Sequence, residues 1–452
     1  MLKKNAIISL KITDITHEGN GVGRTDGLAV FVPFTAIGDR LKVRIVKVLS
    51  HYAFGIIEEM VAPTACRQED DCPIYRRCGS CSLRHISYEE ELSIKNSWVA
   101  QNLRRIGKLT IPLPPAIPSP QVDRYRNKAI YPIRLQNGVP IVGFFAKRSH
   151  NVVPADDCLL HPGFFSEIAA AFCRWLAEYN ISIYDESTHS GLVRALYIRH
   201  AQATGEVMVT IIANGDAIPQ TQTLIQALRS ACADIISIIL NINNDKTNVL
   251  LGQKCQTLWG EPTITDRLCG LSFSLSPLSF YQVNRRGAEQ LYGIAKTFAA
   301  LSGGEVLLDL YCGAGTIGLS MAHQAGQLIG VEIIPDAVKN AQQSATQNGI
   351  TNARFICADA AAAAAQLESE GIAPDVIILD PPRKGCTPEL IKTTARMAPD
   401  RIVMVSCNSA TAARDIALFG ELGYAAEKIQ AVDMFPRTAH VETVVLLSRV
   451  DK

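Results

Sequence analysis

Short apolar and polar runs alternate through the first sixty residues, which is the pattern of half-buried β-strands. Residues 5–60 contain about five such runs, separated by glycine-rich turn signals such as residues 20–27 and 33–40. Short strands at this spacing predict a small β-barrel of the OB type. The periodicity alone assigns this β-domain no function.

The periodicity becomes mixed in the middle of the chain. Residues 88–106 predict a helix, and the proline-rich residues 111–120 predict a linker or an extended arm. Between residues 125 and 274, β-like runs alternate with helical stretches such as residues 164–179. This part predicts an α+β domain.

From Val306 onward the pattern is βαβ, with a glycine-rich turn between the first strand and its helix. Each of the following apolar strands ends in a polar or reactive residue. The carboxyl ends of parallel strands form the ligand crevice in such sheets. The C-terminal part therefore predicts a Rossmann-like catalytic domain.

Together these patterns predict a multidomain α/β chain. We expect the β-barrel in residues 1–62, the central α+β domain in residues 63–275 and the catalytic domain in residues 276–452. The helix and proline-rich segment within residues 91–120 are expected to pack on the catalytic domain. A chain of 452 residues is too long for one ordinary hydrophobic core, and three domains agree with the usual size of a domain.

Composition narrows the class of protein. A content of 48% hydrophobic and 19% charged residues is typical of a globular chain, and the net charge of +1 gives no overall field for nucleic acid. No apolar run approaches the roughly 20 residues that span a bilayer. Lys11 and Asp14 interrupt the first apolar run, which makes it a poor signal peptide. We therefore expect a cytoplasmic monomer without a membrane segment.

The cysteines are not expected to form disulfides in that compartment. Most stand alone, but Cys72, Cys78 and Cys81 form a C-x5-C-x2-C cluster. Cys158 is a candidate fourth ligand, and Cys66 is an extra thiol nearby. Four thiolates can bind zinc, although zinc ribbons usually pair two C-x2-C motifs and this cluster has one.

A G-x-G-x-x-G turn runs from Gly313 through Gly315 to Gly318. By itself it is a weak signal for a dinucleotide. Asp309 lies just before the turn. A carboxylate there disfavours a pyrophosphate, which binds bare N–H groups at a helix N-terminus, and favours a ligand with a cationic amino group.

Two further acids follow the next strands. Glu332 ends the second strand, where a carboxylate accepts hydrogen bonds from ribose hydroxyls, and Asp359 ends the third, near the expected adenine. Glycines needed only for a tight turn would not explain these acids. The set predicts S-adenosylmethionine rather than NAD.

Residues 379–385 read LDPPRKG and resemble the D/N-P-P-aromatic motif of amino-group methyltransferases. Arg383 replaces the aromatic residue on which those enzymes stack the base, which disfavours transfer to an exocyclic nitrogen. The two prolines stiffen the loop and are expected to hold Asp380 in a fixed place.

Cys407 stands where the strand of residues 401–406 gives way to a predicted helix. A helix N-terminus is expected to lower the pKa of a thiol. Most cysteines are small buried residues, but this position favours a nucleophile. Glu442 is the candidate base, and His440 is a rival, although a lone histidine more often completes a hydrogen-bond network.

Several motifs, taken in order, resemble those of the RNA uracil-5-methyltransferases. They are FYQVN at 280–284, DLYCGAGTIGLSMA at 309–322, LDPPRKG at 379–385, SCNSATAARD at 406–415 and MFPRTAHVET at 434–443. Residues 17–45 and 52–59 resemble a TRAM domain, an RNA-binding barrel. With the cysteine cluster, nearly the whole chain resembles the branch of that family that modifies 23S ribosomal RNA.

The resemblance implies a covalent mechanism. Cys407 would add to C6 of a uracil, which makes C5 nucleophilic toward the methyl group, and Glu442 would remove the C5 proton. The residues implied to contact S-adenosylmethionine or the uracil are Gln282, Tyr311, Glu332 and Asp380. The thiols implied to hold a 4Fe–4S cluster are those of Cys72, Cys78, Cys81 and Cys158.

The expected function is S-adenosylmethionine-dependent methylation of C5 of a uridine in 23S ribosomal RNA. A transfer RNA substrate, an amino-group methyltransferase and an RNA-binding protein without turnover remain as alternatives. Methylthiotransferases also combine TRAM, S-adenosylmethionine and an iron–sulfur cluster. They use C-x3-C-x2-C, however, and carry TRAM at the other end of the chain.

Residues 124–148 carry basic side chains and no acidic ones. The basic residues are Arg124, Arg126, Lys128, Arg134, Lys147 and Arg148, and the interleaved aromatic residues are Tyr125, Tyr131, Phe144 and Phe145. This composition is typical of a surface for single-stranded RNA and equally of a solvated face over an aromatic core. The enzyme assignment favours RNA.

Overall fold

The computed structural model describes residues 2–450, and a six-stranded sheet forms its N-terminal part. The strands are β1 (Ile7–Lys11), β2 (Asp14–Ile15), β3 (Asn20–Thr25), β4 (Leu28–Pro33), β5 (Arg40–Val48) and β6 (Tyr52–Ala62), in the order β1-β5-β6-β4-β3-β2. Buried Leu10, Val30, Val32, Val43 and Ile45 belong to its core. The predicted β-domain is therefore confirmed, with one strand more than expected.

The helix predicted after the cysteine cluster is α1 (Tyr88–Arg105). It begins where predicted because the Ser87 side chain caps it by accepting a hydrogen bond from the Glu90 amide. Its buried face includes Ile94 and Trp98, and the Trp98 indole donates a hydrogen bond to the carbonyl of Ile15 in the N-terminal sheet. This helix therefore ties the first sheet to the rest of the molecule.

A mixed seven-stranded sheet with two helices forms the central part. Its strands are β7 (Lys128–Gln136), β8 (Val139–Phe145), β9 (Val152–Pro154), β10 (Val193–His200), β11 (Val207–Ala213), β12 (Ile235–Ile242) and β13 (Lys254–Gly260). The helices are α2 (Phe164–Glu178) and α3 (Thr221–Ala231), and a hairpin of β14 (Ile264–Leu268) and β15 (Leu271–Leu275) follows. The predicted α+β character is confirmed, and Phe172 and Trp175 of α2 pack into its core.

The C-terminal part is a seven-stranded sheet between two layers of helices. Its strands are β16 (Val306–Leu310), β17 (Gln327–Glu332), β18 (Ala353–Cys357), β19 (Val376–Leu379), β20 (Arg401–Ser406), β21 (Tyr424–Val432) and β22 (Glu442–Arg449). Its helices are α4 (Arg285–Ala299), α5 (Thr316–Met321), α6 (Pro335–Gln347), α7 (Ala360–Ser369), α8 (Pro388–Arg396) and α9 (Ser409–Glu421), with a 3-10 turn at Ala322–Gln324. The strand order is β18-β17-β16-β19-β20-β22-β21.

Side chains of this sheet alternate between the two helical layers. Leu307 packs in the core shared with α4, α5 and α6, whereas its neighbour Leu308 packs in the core shared with α7, α8 and α9. Such alternation follows from the two-residue repeat of a strand. Burial on both faces explains why these strands read as continuous apolar runs.

Helix α1 and the proline-rich segment lie against this C-terminal layer. Val99 and Leu103 of α1, together with Ala116, belong to the core that contains α9. Ile117 pairs in parallel with Val432 of β21. Within residues 2–450, no helix has the length and apolarity that crossing a bilayer requires.

Candidate active site

The parallel strands bring several predicted site residues to one edge of the C-terminal sheet. Leu310 pairs with Val331 and with Leu379, and Leu379 pairs with Met404. The residues after these strand ends therefore lie side by side. They are Tyr311 after β16, Glu332 at the end of β17, Asp380 after β19 and Cys407 after β20.

The glycine-rich turn has a backbone that fits a ligand close to it. Gly313 and Gly315 have φ angles of 56° and 79°, and Tyr311 also has a positive φ of 69°. Glu332 braces the turn, because its carboxylate accepts hydrogen bonds from the Gly313 amide at 3.1 Å and from the Ile334 amide at 2.9 Å. The carboxylate is thereby fixed at the mouth of the crevice.

Asp309 is built into the wall behind the turn. One carboxylate oxygen accepts a hydrogen bond from the Gly318 amide at 2.9 Å, and the other is enclosed without a partner. Burial, and then the nearby Asp380 and Glu332, raise its pKa to about 8. A Cβ on Gly318 would lie 2.7 Å from that carboxylate, which explains the third glycine of the motif.

Asp359 and Gln282 occupy different parts of the rim. Asp359 is exposed and caps α7 by accepting hydrogen bonds from the amides of Ala361 and Ala362. Gln282 is half-buried, and its side chain lies near Tyr292. The Tyr292 hydroxyl also lies 3.1 Å from the Thr316 hydroxyl. Sequence reasoning missed Tyr292, because on α4 it reads as an ordinary apolar core position.

Cys407 and Glu442 meet across two antiparallel strands. Ser406 of β20 pairs with Thr443 of β22 in antiparallel register. Cys407, the next residue after Ser406, therefore stands opposite Glu442, the residue before Thr443. Sequence analysis named these two residues but could not place them together, because β22 follows β20 by a long connection. Glu442 is buried, and burial, with a contribution from Asp380, raises its pKa to about 8.

The expected low pKa of Cys407 is wrong for the free protein. Burial raises the thiol pKa, the charges of Glu442 and Asp380 raise it further, and Arg383 acts in the opposite direction. The thiol also precedes the capping residue Asn408, whose side chain accepts from the Ala410 amide at 3.1 Å. The Asn408 side chain thus satisfies a free amide at the start of α9. The effect of burial on the Cys407 pKa outweighs that of the helix dipole.

Arg383 and His440 complete the surroundings of this pair. An Arg383 guanidinium nitrogen lies 3.4 Å from the His440 ring, and the Arg383 carbonyl accepts a hydrogen bond from the Asn408 side chain at 3.1 Å. The pKa of His440 is lowered to about 4 by desolvation and then by cations, of which Arg383 is the largest contributor. A neutral histidine beside a cation is a weaker candidate for the base than buried Glu442.

The cysteine cluster surrounds a single cavity. Cys72, Cys78, Cys81 and Cys158 all line it, and Cys66 does not. Burial, with the charges of neighbouring thiolates, raises the pKa of Cys158 to about 11. Within residues 2–450, however, no three His, Cys, Asp or Glu side chains are arranged to hold one metal ion. The structure therefore brings the four predicted thiols together without itself supporting a metal.

The predicted basic and aromatic surface is only partly exposed. Tyr125 and Tyr131 are buried, so neither can stack on a base. Arg124 is held by Asp157, and Arg134 pairs with Glu186 at 3.0 Å. Arg126 and Lys128 are half-buried, and Arg148 pairs with Glu18 at 2.9 Å. What remains exposed is Lys147 and Arg148, with half-buried Phe144 and Phe145 beside them. These four residues line a groove that adjoins the cysteine cluster at Gly79 and Ser80.

Comparisons with known proteins identify the fold and the family. The family model for tRNA (uracil-5-)-methyltransferase matches residues 201–450, and that for the TRAM domain matches residues 2–57. The crystal structure of Pyrococcus abyssi tRNA (uracil-54, C5)-methyltransferase with S-adenosyl-L-homocysteine is 26% identical, has a TM-score of 0.77, and matches over 97% of this chain and 100% of that one.

Curated relatives agree over the full length. An uncharacterized RNA methyltransferase of Halalkalibacterium halodurans is 40% identical, and the match spans 99% of this chain and 98% of the relative. Another from Clostridium acetobutylicum is 40% identical over 100% of this chain and 99% of the relative. The chain is therefore an RNA methyltransferase and belongs to the tRNA (uracil-5-)-methyltransferase family, with an N-terminal TRAM domain.

Proposed function

We propose that the protein methylates C5 of a uridine in 23S ribosomal RNA and uses S-adenosylmethionine as the methyl donor. The observation that carries the chemistry is the juxtaposition of Cys407 and Glu442 across β20 and β22, beside Asp380. A nucleophile and a base on adjacent strand ends match the needs of covalent addition followed by proton removal.

The crevice suits the methyl donor. Two positive-φ glycines leave the turn open to close approach, and Glu332 is held by backbone amides where ribose hydroxyls can donate to it. Gln282, Tyr311 and Asp380 complete the proposed contacts, with Asp359 on the adenine side. Asp309 is proposed to act through the turn that it braces. The bound donor supplies an electrophilic methyl group.

The residues of the chain perform the remaining steps. Cys407 loses its proton to solvent and adds to C6 of the uracil, and the resulting enolate has carbanion character at C5. After C5 has gained the methyl group, the Glu442 carboxylate removes the C5 proton. The electron pair then re-forms the C5–C6 double bond and expels the Cys407 thiolate. The target base must leave any stack to meet both residues.

The choice of RNA rests on a different argument. The TRAM domain and the cysteine cluster resemble the 23S ribosomal RNA branch of the family, whereas the structural neighbour from Pyrococcus abyssi acts on transfer RNA. A transfer RNA substrate is therefore the second candidate. Mapping 5-methyluridine in both RNAs from a deletion strain decides between them, because the modification disappears from one RNA only.

We also propose that the cysteine cavity holds a 4Fe–4S cluster. The donor set fits, because four thiolates ligate a cubane and four thiols line this cavity. The proposed role is structural, since methyl transfer moves no electrons. The cluster would link the segment that contains Cys72, Cys78 and Cys81 to Cys158 near the central sheet.

The chemical proposal is tested with two variants and two matched controls. Cys407→Ala should form no covalent RNA adduct and should lose methylation. Glu442→Gln should accumulate an adduct that requires S-adenosylmethionine, visible as a slow RNA-dependent band in a denaturing gel. Wild-type protein should be trapped in the same way by 5-fluorouridine RNA, because fluorine cannot leave as a cation.

The two controls leave Cys407 and Glu442 in place and change a cysteine and a glutamate elsewhere in the chain. Cys255→Ala removes an exposed thiol on β13 of the central sheet, and Glu427→Gln removes an exposed carboxylate on β21. Both should methylate like the wild type. Methylation by Cys407→Ala would refute the covalent mechanism, and an RNA-binding protein without turnover would show no methylation even in the wild type.

A further inference from the structure

A buried lysine joins helix α1 to residues 433–441, the loop that leads into Glu442. The Lys95 ammonium donates to Glu91 at 2.7 Å, to the Asp433 carboxylate at 2.7 Å and to the Phe435 carbonyl at 3.1 Å. The side chains of Lys95, Glu91 and Asp433 are fully buried. All three ammonium protons are thereby used, two of them on this loop.

The loop is held again at Arg437. Its amide donates to Glu91 at 2.7 Å, and its carbonyl accepts from the Ser82 and Leu83 amides at 2.9 and 3.1 Å. Its φ of 68° is uncommon for a residue other than glycine. Such a conformation persists only where the surroundings over-determine it, and here the surroundings are α1 and the segment just after Cys81.

Further contacts come from the same direction. The Tyr88 hydroxyl donates to the other Asp433 oxygen at 2.9 Å, and the Tyr125 hydroxyl donates to the Pro436 carbonyl at 3.1 Å. Cys407, in contrast, follows a central strand and immediately precedes the Asn408 cap of α9. The contact of α1 with that end of α9, from the Asn102 side chain to the Ser409 hydroxyl at 2.8 Å, does not involve Lys95. The buried network therefore bears on the placement of Glu442 more directly than on that of Cys407.

We infer that Lys95 is a positioning residue for the reaction, and that it sets the place of Glu442 through the 433–441 loop. This inference rests on the proposed function. Helix α1, which lies outside the parallel sheet, then takes part in the step that removes the C5 proton. Adduct release should depend on Lys95, whereas adduct formation should not.

The variants must separate positioning from folding. Lys95→Met alone leaves two buried carboxylates, Asp433 without a cation and Glu91 with only the Arg437 guanidinium at 3.8 Å, which strongly destabilises a folded chain. A neutral triple variant, Lys95→Met with Glu91→Gln and Asp433→Asn, removes those charges at nearly constant size. Lys339→Met is the matched control, because Lys339 pairs with Asp336 on the exposed face of α6.

The experiment measures adduct formation and release separately. The neutral triple variant should be trapped by 5-fluorouridine RNA at the wild-type rate. With ordinary RNA and S-adenosylmethionine it should release its adduct on the order of 10²-fold more slowly, the cost of a misplaced catalytic group. Lys339→Met should match the wild type in both steps, and far-UV circular dichroism at the assay temperature establishes that each variant is folded.

Three other outcomes overturn the inference. Wild-type release by the folded triple variant would show that the network does not position Glu442. Equal slowing of trapping and release would show general damage to the site. A wild-type protein that neither methylates nor forms an adduct would refute the proposed function, and the inference with it, whereas the first two outcomes leave the proposed function intact.

Discussion

Replacing Glu442 with glutamine should stabilise the protein at neutral pH while it blocks turnover. Burial raises the Glu442 pKa from 4.5 to about 8. Between these values the folded chain binds more protons than the unfolded chain, so stability falls as pH rises. Each unit of pKa shift corresponds to about 1.4 kcal/mol. Between pH 5 and pH 7, the titration of Glu442 should therefore lower the free energy of unfolding of the wild type by about 2.5 kcal/mol.

Glutamine has nearly the same shape and cannot ionise, so the variant escapes this loss. Asp380 and Asp309 also have raised pKa values, to about 7 and about 8, but both remain in the variant and cancel in the comparison to first order. Residues 276–450 have the size for which 1 kcal/mol corresponds to about 2–4 °C, so the melting temperature of their transition in the variant should rise by about 5–10 °C relative to the wild type between pH 5 and pH 7.

Calorimetry at pH 5, 6 and 7 measures this difference. The control is Glu427→Gln, which neutralises an exposed glutamate on β21 and should track the wild type at every pH. Parallel melting curves for Glu442→Gln and the wild type would refute the reasoning, because they would mean that Glu442 is not held in the buried, neutral state. A stable but blocked variant is the expected trade between stability and activity at a catalytic site.

Two further predictions concern the cysteines and the RNA surface. Anaerobically purified protein should contain about four iron atoms per chain by metal analysis. The Cys158→Ser variant should lose this iron, and the Cys66→Ser variant should keep it. Stoichiometric zinc without acid-labile sulfide would reject the cluster. Changing Lys147 and Arg148 together to alanine should lower the slope of log affinity against log salt by up to about 2 in filter binding, whereas an unchanged slope would place the RNA path elsewhere.

Local patterns predicted most of the elements correctly. The start of α1 at Tyr88 follows from a serine cap and an apolar face, and the continuous apolar strands from Val306 onward follow from burial on both faces. The clustering of site residues at strand ends was equally predictable, because the carboxyl ends of parallel strands lie at one edge of a sheet. These features depend on neighbours in sequence, which a single sequence displays.

What sequence reasoning missed depends on contacts between distant segments. The low pKa expected for Cys407 came from a local rule about helix ends, whereas burial and two acids from other strands reverse it. Tyr131 looked like a stacking residue because alternation does not reveal which face of a sheet is covered, and Tyr125 because its partner, the Pro436 carbonyl, is distant in sequence. Lys95 lies within a predicted helix, and its burial depends on Asp433, a partner far along the chain that no local pattern displays.

The charges around Cys407 suggest why addition and proton removal occur in order. In the free protein a Glu442 carboxylate would raise the thiol pKa, so the pair disfavours holding two negative charges at once. Addition to uracil converts the thiolate to a neutral thioether but moves its negative charge to the enolate, and that charge is lost only when C5 gains the methyl group. Glu442 can then ionise without that repulsion. The base thus becomes available when C5 carries the proton that it must take. Adduct release measured below pH 8 tests this order, because a Glu442 that stayed protonated in the adduct would make release slow in proportion to acidification.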